Sequence, residues 1–225
     1  MSVMQNQEVS AKSQTEQAYE HLKYRILNCE LMPGQSILEK QLSAELPWGR
    51  TPIHEALLLL KNENLVQIFP RKGMRIAPYT IEYINELYQV RKLMEPSVVQ
   101  SYKQIYSKSK LLEFETRFQN AATLTNPEYY RLDVEFHSYL IHISQNRFLM
   151  RLWDEVMLHQ YRLAMYAVKQ NTTFRPDNDP QHQHIIEALL KEDDSEIQNA
   201  LTAHINYSLL SSLRAIEVCS EAHNF

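Results

Sequence analysis

Four side chains in the second half of the chain have the residue types and spacing of a metal site. Asp133 and His137 lie four residues apart in the segment LDVEFHSYL, residues 132–140. On a helix, positions i and i+4 face the same side, so the carboxylate and the imidazole can meet. Such a pair can hold a divalent ion, and it can equally be a plain hydrogen-bonded pair.

His182 and His204 supply two further imidazoles on separate predicted helices. His182 follows Asp179-Pro180 at the start of one helix, and His204 lies inside the last helix. Each histidine alone is more typical of a satisfied structural residue than of a ligand. Three imidazoles and one carboxylate on inward-facing helices would suit zinc or nickel, with manganese as an alternative.

A second group of residues has the chemistry of DNA binding. Arg50 stands just before a predicted helix, where the helix N-terminus directs its amides at phosphate. Arg71, Lys72 and Arg75 surround Gly73 on a predicted hairpin. Each charge alone is an ordinary solvated side chain. Their joint placement on a helix start and a hairpin tip favours contact with nucleic acid.

The elements that carry these basic residues have the order of a winged helix-turn-helix. The pattern predicts helices over 13–29, 36–46 and 51–63, then strands at 65–69 and 74–77. Ser36 and Glu39 have capping-box spacing, and Thr51 precedes Pro52 as a helix cap. In this arrangement the third helix enters the major groove. We therefore predict a DNA-binding domain over 13–78, preceded by a disordered tail over 1–12.

The remainder of the chain, 79–225, predicts an all-α antiparallel bundle. The three glycines of the chain, Gly34, Gly49 and Gly73, all lie in its first third. A long segment without glycine disfavours tight-turned β-sandwiches and phosphate-binding α/β folds. Periodicity and capping signals predict six helices at about 80–105, 109–122, 127–144, 147–170, 180–191 and 195–218. The predicted fold class is mainly α.

Composition excludes two other classes of protein. The 225 residues contain no apolar run of the length that a membrane span needs, and the polar N-terminus has no signal-peptide core. Cys29 and Cys219 are too few and too distant for a disulfide framework. We therefore expect a cytoplasmic protein with reduced thiols and no membrane partner. The net charge is −4, so DNA contacts must come from locally placed charges.

The N-terminal motifs resemble the DNA-binding domain of GntR-family transcriptional regulators. The resemblance lies in the run LMPGQSILEKQLSAEL at 31–46, in GRTPIHEAL at 49–57, in NLV at 64–66 and in PRKG at 70–73. It implies that the protein binds double-stranded operator DNA. The contacts it implies come from Lys40, Arg50, Thr51, His54, Arg71, Lys72 and Gly73. This chain departs from the family in His54, where arginine is usual, and in the turn Pro47-Trp48-Gly49.

The second half resembles the FCD ligand-binding domain of the FadR subfamily of these regulators. The matching positions are Asp133-x-x-x-His137, then His182 with the following Ile185 and Glu187-Ala188, then Ala200 and Ala203-His204. The resemblance implies that Asp133, His137, His182 and His204 bind a divalent metal ion. It also implies a small carboxylate effector that completes the coordination of the metal, and a homodimer. The count of six helices suggests the VanR-like branch.

Three further residues are effector candidates. Arg91 matches a position from which relatives reach the cavity with an arginine, and a bidentate clamp on a carboxylate would suit it. A salt bridge to Glu95, one helical turn on, is an equal alternative. Asn146 and Arg162 are weaker candidates for the same pocket.

The leading interpretation is therefore a DNA-binding transcriptional regulator whose operator binding responds to a small carboxylate at the metal. The resemblance implies a repressor, because repression is the commoner behaviour in the family. One alternative is a regulator that binds an acyl chain or another effector without metal. A less favoured alternative is a metal-dependent enzyme, which would need an open metal position and a general base. Glu135 would point away from the proposed site, and no nucleophile or phosphate-binding motif is apparent, so we expect no enzyme activity.

Overall fold

The computed structural model describes residues 12–70, 73–171 and 180–222. The chain divides into two compact units, one of Met1–Ile26 with Leu31–Pro78 and the other of Leu27–Glu30 with Tyr79–Phe225. Residues 1–11 of the predicted tail lie outside the described residues, as do Arg71 and Lys72. The fold is mainly helical with one small sheet, as the sequence predicts.

The first unit is a three-helix domain with a three-stranded sheet. Its elements are α1 (Gln14–Leu27), β1 (Ser36–Ile37), α2 (Glu39–Glu45), α3 (Arg50–Asn62), β2 (Val66–Phe69) and β3 (Gly73–Ile76). The strands are antiparallel in the order β1-β3-β2, with Ile37 opposite Met74 and Val66 opposite Ile76. The helices bury residues spaced three or four apart, so one face of each meets the common core. This order is that of a winged helix-turn-helix.

Two predicted helix caps in this unit are wrong. Ser36 does not cap a helix, because it pairs with Arg75 in β1, and Leu38 occupies the N-cap of α2 instead. A strand of two residues has too little periodicity to be recognised without its partner. Helix α3 begins at Arg50 with Gly49 as its N-cap, so Thr51 lies inside the first turn. Because the backbone of Gly49 is extended, the helix begins two residues earlier than Thr51 as a cap predicts.

The second unit contains six α-helices in its described part. They are α4 (Ile81–Ser101), α5 (Lys108–Gln119), α6 (Asn126–His142), α7 (Arg147–Lys169), α8 (Pro180–Lys191) and α9 (Asp194–Ala222). Helices α4 and α5 end earlier than predicted, and each is followed by a short 3-10 turn, at Lys103–Ile105 and at Ala121–Thr123. Helix α6 is capped by Thr125, which donates to Glu128, although Asn126 before Pro127 has the sequence pattern of a cap. Asp193 accepts from the amides of Ser195 and Glu196 at the start of α9.

The helices of this unit enclose two apolar clusters. One combines α5, α6 and α8 with the start of α9 and contains Phe114, Phe118 and Phe136. The other combines α4, α7 and α9 around Tyr88 and Trp153. Helix α6 contributes to both clusters, with Phe136 in the first and Ile141 in the second. His137, which lies between these positions, is fully buried inside the bundle.

Candidate metal centre

The structure brings the four predicted ligands together inside the bundle. Asp133 and His137 come from α6, His182 from α8 and His204 from α9, and all four are buried. One potential ligand atom from each residue lies within 4.8 Å of the other three. Nε2 of His137 is 3.0 Å from Nε2 of His204 and 3.3 Å from Nε2 of His182. Oδ1 of Asp133 lies 3.1 Å from Nε2 of His182. We call these four residues the His/Asp cluster.

Apolar neighbours fix the rings of the His/Asp cluster. The ring of Phe118 stacks on His182 at a centroid distance of 4.1 Å with an interplanar angle of 3°. Phe136 meets the same imidazole edge-on. The indole N–H of Trp153 donates to the backbone carbonyl of His137 at 3.1 Å, which holds that turn of α6. The ligand atoms are therefore held in place by packing rather than by contact with solvent.

Hydrogen bonds at the far side of two rings decide which nitrogen carries the proton. Nδ1 of His137 donates to the carboxylate of Glu95, and Nδ1 of His204 lies 3.1 Å from Oε1 of Gln181, which accepts. In the neutral rings both Nε2 atoms then carry lone pairs, and these lone pairs face each other at 3.0 Å. Two lone pairs at this distance repel, and a divalent ion between them would remove that repulsion.

Together, burial and the charges around the cluster favour a neutral His204 and an ionised Asp133. Burial, followed by the nearby His182, His137 and Arg91, holds the pKa of His204 well below its ordinary value. Burial alone would raise the pKa of Asp133, but the hydrogen bond from His182 and the charge of His137 outweigh it and lower that pKa. These are the protonation states in which imidazole and carboxylate bind metals. The donor set of three nitrogens and one oxygen therefore fits a divalent ion.

Glu95 is a residue of this site that the sequence analysis treated only as a partner of Arg91. Its carboxylate lies between Nδ1 of His137 and the guanidinium of Arg91, whose Nη2 is 3.1 Å away, and all three side chains are buried. Burial would raise the pKa of Glu95, but the charges of His137 and Arg91 lower it. A carboxylate behind a ligand histidine orients the ring and increases its basicity. No sequence signal identifies this contact, because it joins α4 to α6.

A cavity of about 70 Å³ opens beside the cluster. Three members of the cluster form part of its wall, namely Asp133, His182 and His204. Hydroxyl and amide side chains form most of the rest, including Tyr129, Tyr130, Gln160, Gln181, Tyr207, Ser208, Ser211 and Ser212. Oε1 of Gln160 is buried there and accepts no hydrogen bond from the described residues, while its Nε2 donates to Tyr88 at 3.0 Å. The cavity therefore suits a small polar molecule.

The three predicted effector residues do not line this cavity. Arg91 forms the salt bridge to Glu95, although its Nη1 makes no hydrogen bond within the described part of the chain. Asn146 is exposed and caps α7, where its Oδ1 accepts from the amides of Phe148 and Leu149. Arg162 is buried with its guanidinium 4.8 Å from the ring centroid of Tyr79. The helix-capping position of Asn146 corrects the expectation that it faces the pocket.

The predicted DNA contacts in the first unit lie on its surface. Arg50, Thr51 and His54 are exposed on the first two turns of α3, and Lys40 is exposed on α2. The side chain of Arg50 is 79% exposed. Gly73 begins β3 with a φ of +95°, a left-handed conformation that favours glycine. The fold therefore presents these polar residues outward rather than using them in its core.

Comparison with known proteins identifies both units. The description "Bacterial regulatory proteins, gntR family" matches residues 14–76, and the FCD domain matches residues 86–207. The chain belongs to the GntR family and carries an FCD domain. This confirms the resemblance seen in the sequence and makes the protein a transcriptional regulator of that family. No helix of the described residues is long and apolar enough to cross a membrane.

Relatives of this GntR-family regulator match over most of their length. The HTH-type transcriptional regulator YdhC of Bacillus subtilis is 28% identical over 85% of this chain and 87% of its own. The HTH-type transcriptional repressor RspR of Escherichia coli is 23% identical over 89% of each chain. A crystal structure of a GntR-type regulator from Rhodococcus sp. RHA1 shares the fold, with a TM-score of 0.76 at 20% identity over 91% of this chain and 99% of that one.

Proposed function

We propose that this regulator is a cytoplasmic repressor whose binding to operator DNA is modulated by a small carboxylate metabolite at a metal ion in the FCD domain. The single observation that carries the proposal is the convergence of four ligand atoms within 4.8 Å, in a cluster of which three members line a cavity. An ion held there by Asp133, His137, His182 and His204 would supply Lewis acidity toward a carboxylate from the cavity. The similarity to RspR, which is named as a repressor, supports repression.

The donor chemistry favours certain metals. Three imidazole nitrogens and one carboxylate oxygen suit zinc or nickel, with manganese as the harder alternative. An ion would relieve the repulsion between the facing lone pairs of His137 and His204. Because all four residues are buried, it would also add to the compensation that their hydrogen bonds give to polar groups in the core.

The cavity favours a small effector over an acyl chain. Its volume of about 70 Å³ holds a molecule of a few carbon atoms, and its walls carry hydroxyl and amide groups rather than a continuous apolar surface. These properties disfavour the alternative of an apolar effector bound without metal. The enzyme alternative lacks a general base of the kind considered, because Glu135 pairs at the surface with Arg117, at 2.6 Å and 2.8 Å.

The DNA-binding half of the proposal rests on the outward face of α2 and α3. Lys40, Arg50, Thr51 and His54 are exposed there, and the Gly73 turn begins β3. A homodimer would present two such faces to the two half-sites of a pseudo-palindrome. Arg71 and Lys72, which lie outside the described residues, belong to the same proposed contact surface.

Elemental mass spectrometry tests the metal, and fluorescence anisotropy tests its coupling to DNA. Protein purified without a histidine tag and without chelator is expected to carry about one metal ion per chain. Labelled duplexes that the protein selects from random sequence serve as the DNA. Their affinity for the protein should change when sugar acids and small organic acids are added. Protein that contains no metal and cannot be reconstituted with it would overturn the proposed metal site. Absence of sequence-specific DNA binding would overturn the proposed regulation of an operator.

A further inference from the structure

A hydrogen bond between α2 and α3 holds the imidazole of His54 in one orientation. Nδ1 of His54 lies 2.9 Å from Oε1 of Glu39, the first residue of α2. The other oxygen of Glu39 lies 3.8 Å from Nε of Arg50, one turn before His54 on α3. The carboxylate of Glu39 is only 20% exposed, whereas His54 is 47% exposed. Glu39 therefore lies between the two helices, and His54 lies at the surface.

This contact determines what the outer nitrogen of His54 offers to a ligand. An ionised carboxylate only accepts hydrogen bonds, so Nδ1 of His54 must carry the proton that points at Glu39. In the neutral ring, Nε2 on the outer side then has a lone pair and no hydrogen. An arginine at the same position has only donors to offer. Glu39 thus makes His54 an acceptor on an exposed helix face.

In the major groove, bases differ in whether their edges donate or accept hydrogen bonds. Guanine presents two acceptors there, N7 and O6, whereas adenine and cytosine present exocyclic amino groups that donate. We propose that His54, oriented by Glu39, accepts a hydrogen bond from the exocyclic amino group of an adenine or cytosine in the operator half-site. This inference rests on the proposed function, because it requires α3 to enter the major groove. His54 is then a specificity-determining residue, and Glu39 is a positioning residue.

Selection from duplexes with a randomised stretch of about 20 base pairs, using the full chain, tests the inference. The base position read by His54 is the one whose preference differs between the wild type and His54→Ala. We expect adenine or cytosine there in the wild type and guanine with His54→Arg. Replacement of that adenine by 2-aminopurine, or of that cytosine by 2-pyrimidinone, removes the amino group from the groove. This should weaken wild-type binding roughly three- to tenfold, as for one neutral hydrogen bond, and leave His54→Ala unaffected.

Two carboxylate variants separate positioning from general charge. Glu39→Ala should lose the preference for the amino-bearing base while retaining its circular dichroism spectrum. Glu45→Ala removes an exposed carboxylate from the same helix and should keep the wild-type preference. A shared loss of preference in both variants would overturn the role of Glu39.

The remaining outcomes distinguish this inference from the proposed function. Enrichment of a sequence in which no position depends on His54 overturns the inference alone. A wild-type preference for guanine at the dependent position, lost with 7-deazaguanine, also overturns it, because Nε2 would then be a donor. Failure of the wild-type chain to enrich any sequence overturns the proposed function and the inference with it.

Discussion

Glu95 accepts a hydrogen bond from Nδ1 of His137 while its second oxygen pairs with the guanidinium of Arg91. All three side chains are fully buried. The carboxylate therefore directs the outer nitrogen of His137 at His204 and compensates the buried charge of Arg91. A ligand and its support thus come from different helices, α6 and α4.

Glu95→Gln is expected to weaken metal binding by about 10- to 100-fold, the usual effect of losing a carboxylate behind a ligand histidine. The amide still accepts from His137 but carries no charge to increase the basicity of the ring. Competition with a chelator of known affinity measures the change. Glu86→Gln alters an exposed glutamate on the same helix and should bind metal as the wild type does. Equal affinities in the two variants would remove Glu95 from the site.

His182→Ala is expected to abolish stoichiometric metal and to cancel the rise in melting temperature that metal gives the wild type, by linkage. His182 is buried in the cluster, whereas His184 on the same helix is exposed. His184→Ala therefore removes an imidazole from α8 without touching the cluster and should retain the metal. Elemental analysis and thermal melts with and without metal measure both variants. Full metal occupancy in His182→Ala would show that the proposed ligand set is wrong.

The metal-free protein is expected to lose stability as the pH falls below 6.5. Burial and the neighbouring charges hold the pKa of His204 well below that value in the folded state, whereas the unfolded chain titrates near 6.5. Below pH 6.5 the unfolded state binds a proton at His204 that the folded state does not bind. The contribution of His204 to the free energy of unfolding is therefore complete above pH 6.5 and declines below it. Urea unfolding in chelator at pH 7.5 and 5.5 measures the loss.

A second comparison assigns that pH dependence to His204. His204→Asn should show a smaller difference between the two midpoints. The pKa values of Asp133 and Glu95 are lowered from 3.8 and 4.5, so these carboxylates affect stability only at lower pH. An unchanged midpoint between pH 7.5 and 5.5 would contradict the neutral, buried state of His204.

Arg50→Ala is expected to weaken operator binding by at least about 1 kcal/mol, the lower end for loss of an arginine contact to DNA. Its side chain is 79% exposed at the start of α3, where a helix N-terminus meets phosphate. Lys61→Ala removes the same charge from the other end of α3 and serves as the control. Titrations at fixed salt measure both variants. Equal weakening by the two would indicate a general charge effect rather than a contact of Arg50.

The helices of this protein were largely predictable because their apolar residues repeat at helical spacing. In α3, Ile53, Ala56, Leu57 and Leu60 are all buried, as that repeat requires. The two-residue strand β1 was not predictable, since only its pairing with β3 defines it. Thr51 and Asn126 look like helix caps, but each helix starts one or more residues earlier, at a position set by the backbone of the preceding turn.

Asp133 and His137 were candidates because of their helical spacing, whereas the resemblance to FCD domains joined His182 and His204 to them. The support around them was not predictable, since Glu95 and Gln181 reach His137 and His204 from positions 42 and 23 residues away in the sequence. Asn146 was a weaker candidate for the effector pocket. An asparagine directly before a long helix is also a typical N-cap, and the structure places Asn146 in that position.

Strand β1 connects the hairpin of β2 and β3 to the start of α2. Ile37 pairs with Met74 in β3, and Glu39 begins α2 only two residues later. A shift of the hairpin therefore moves the start of α2, and Glu39 carries His54 with it. We therefore expect the hairpin and the two helices to move together when they bind DNA. A half-site spacing that differs by one base pair, about 3.4 Å along the duplex axis, has to be accommodated by chain outside this unit.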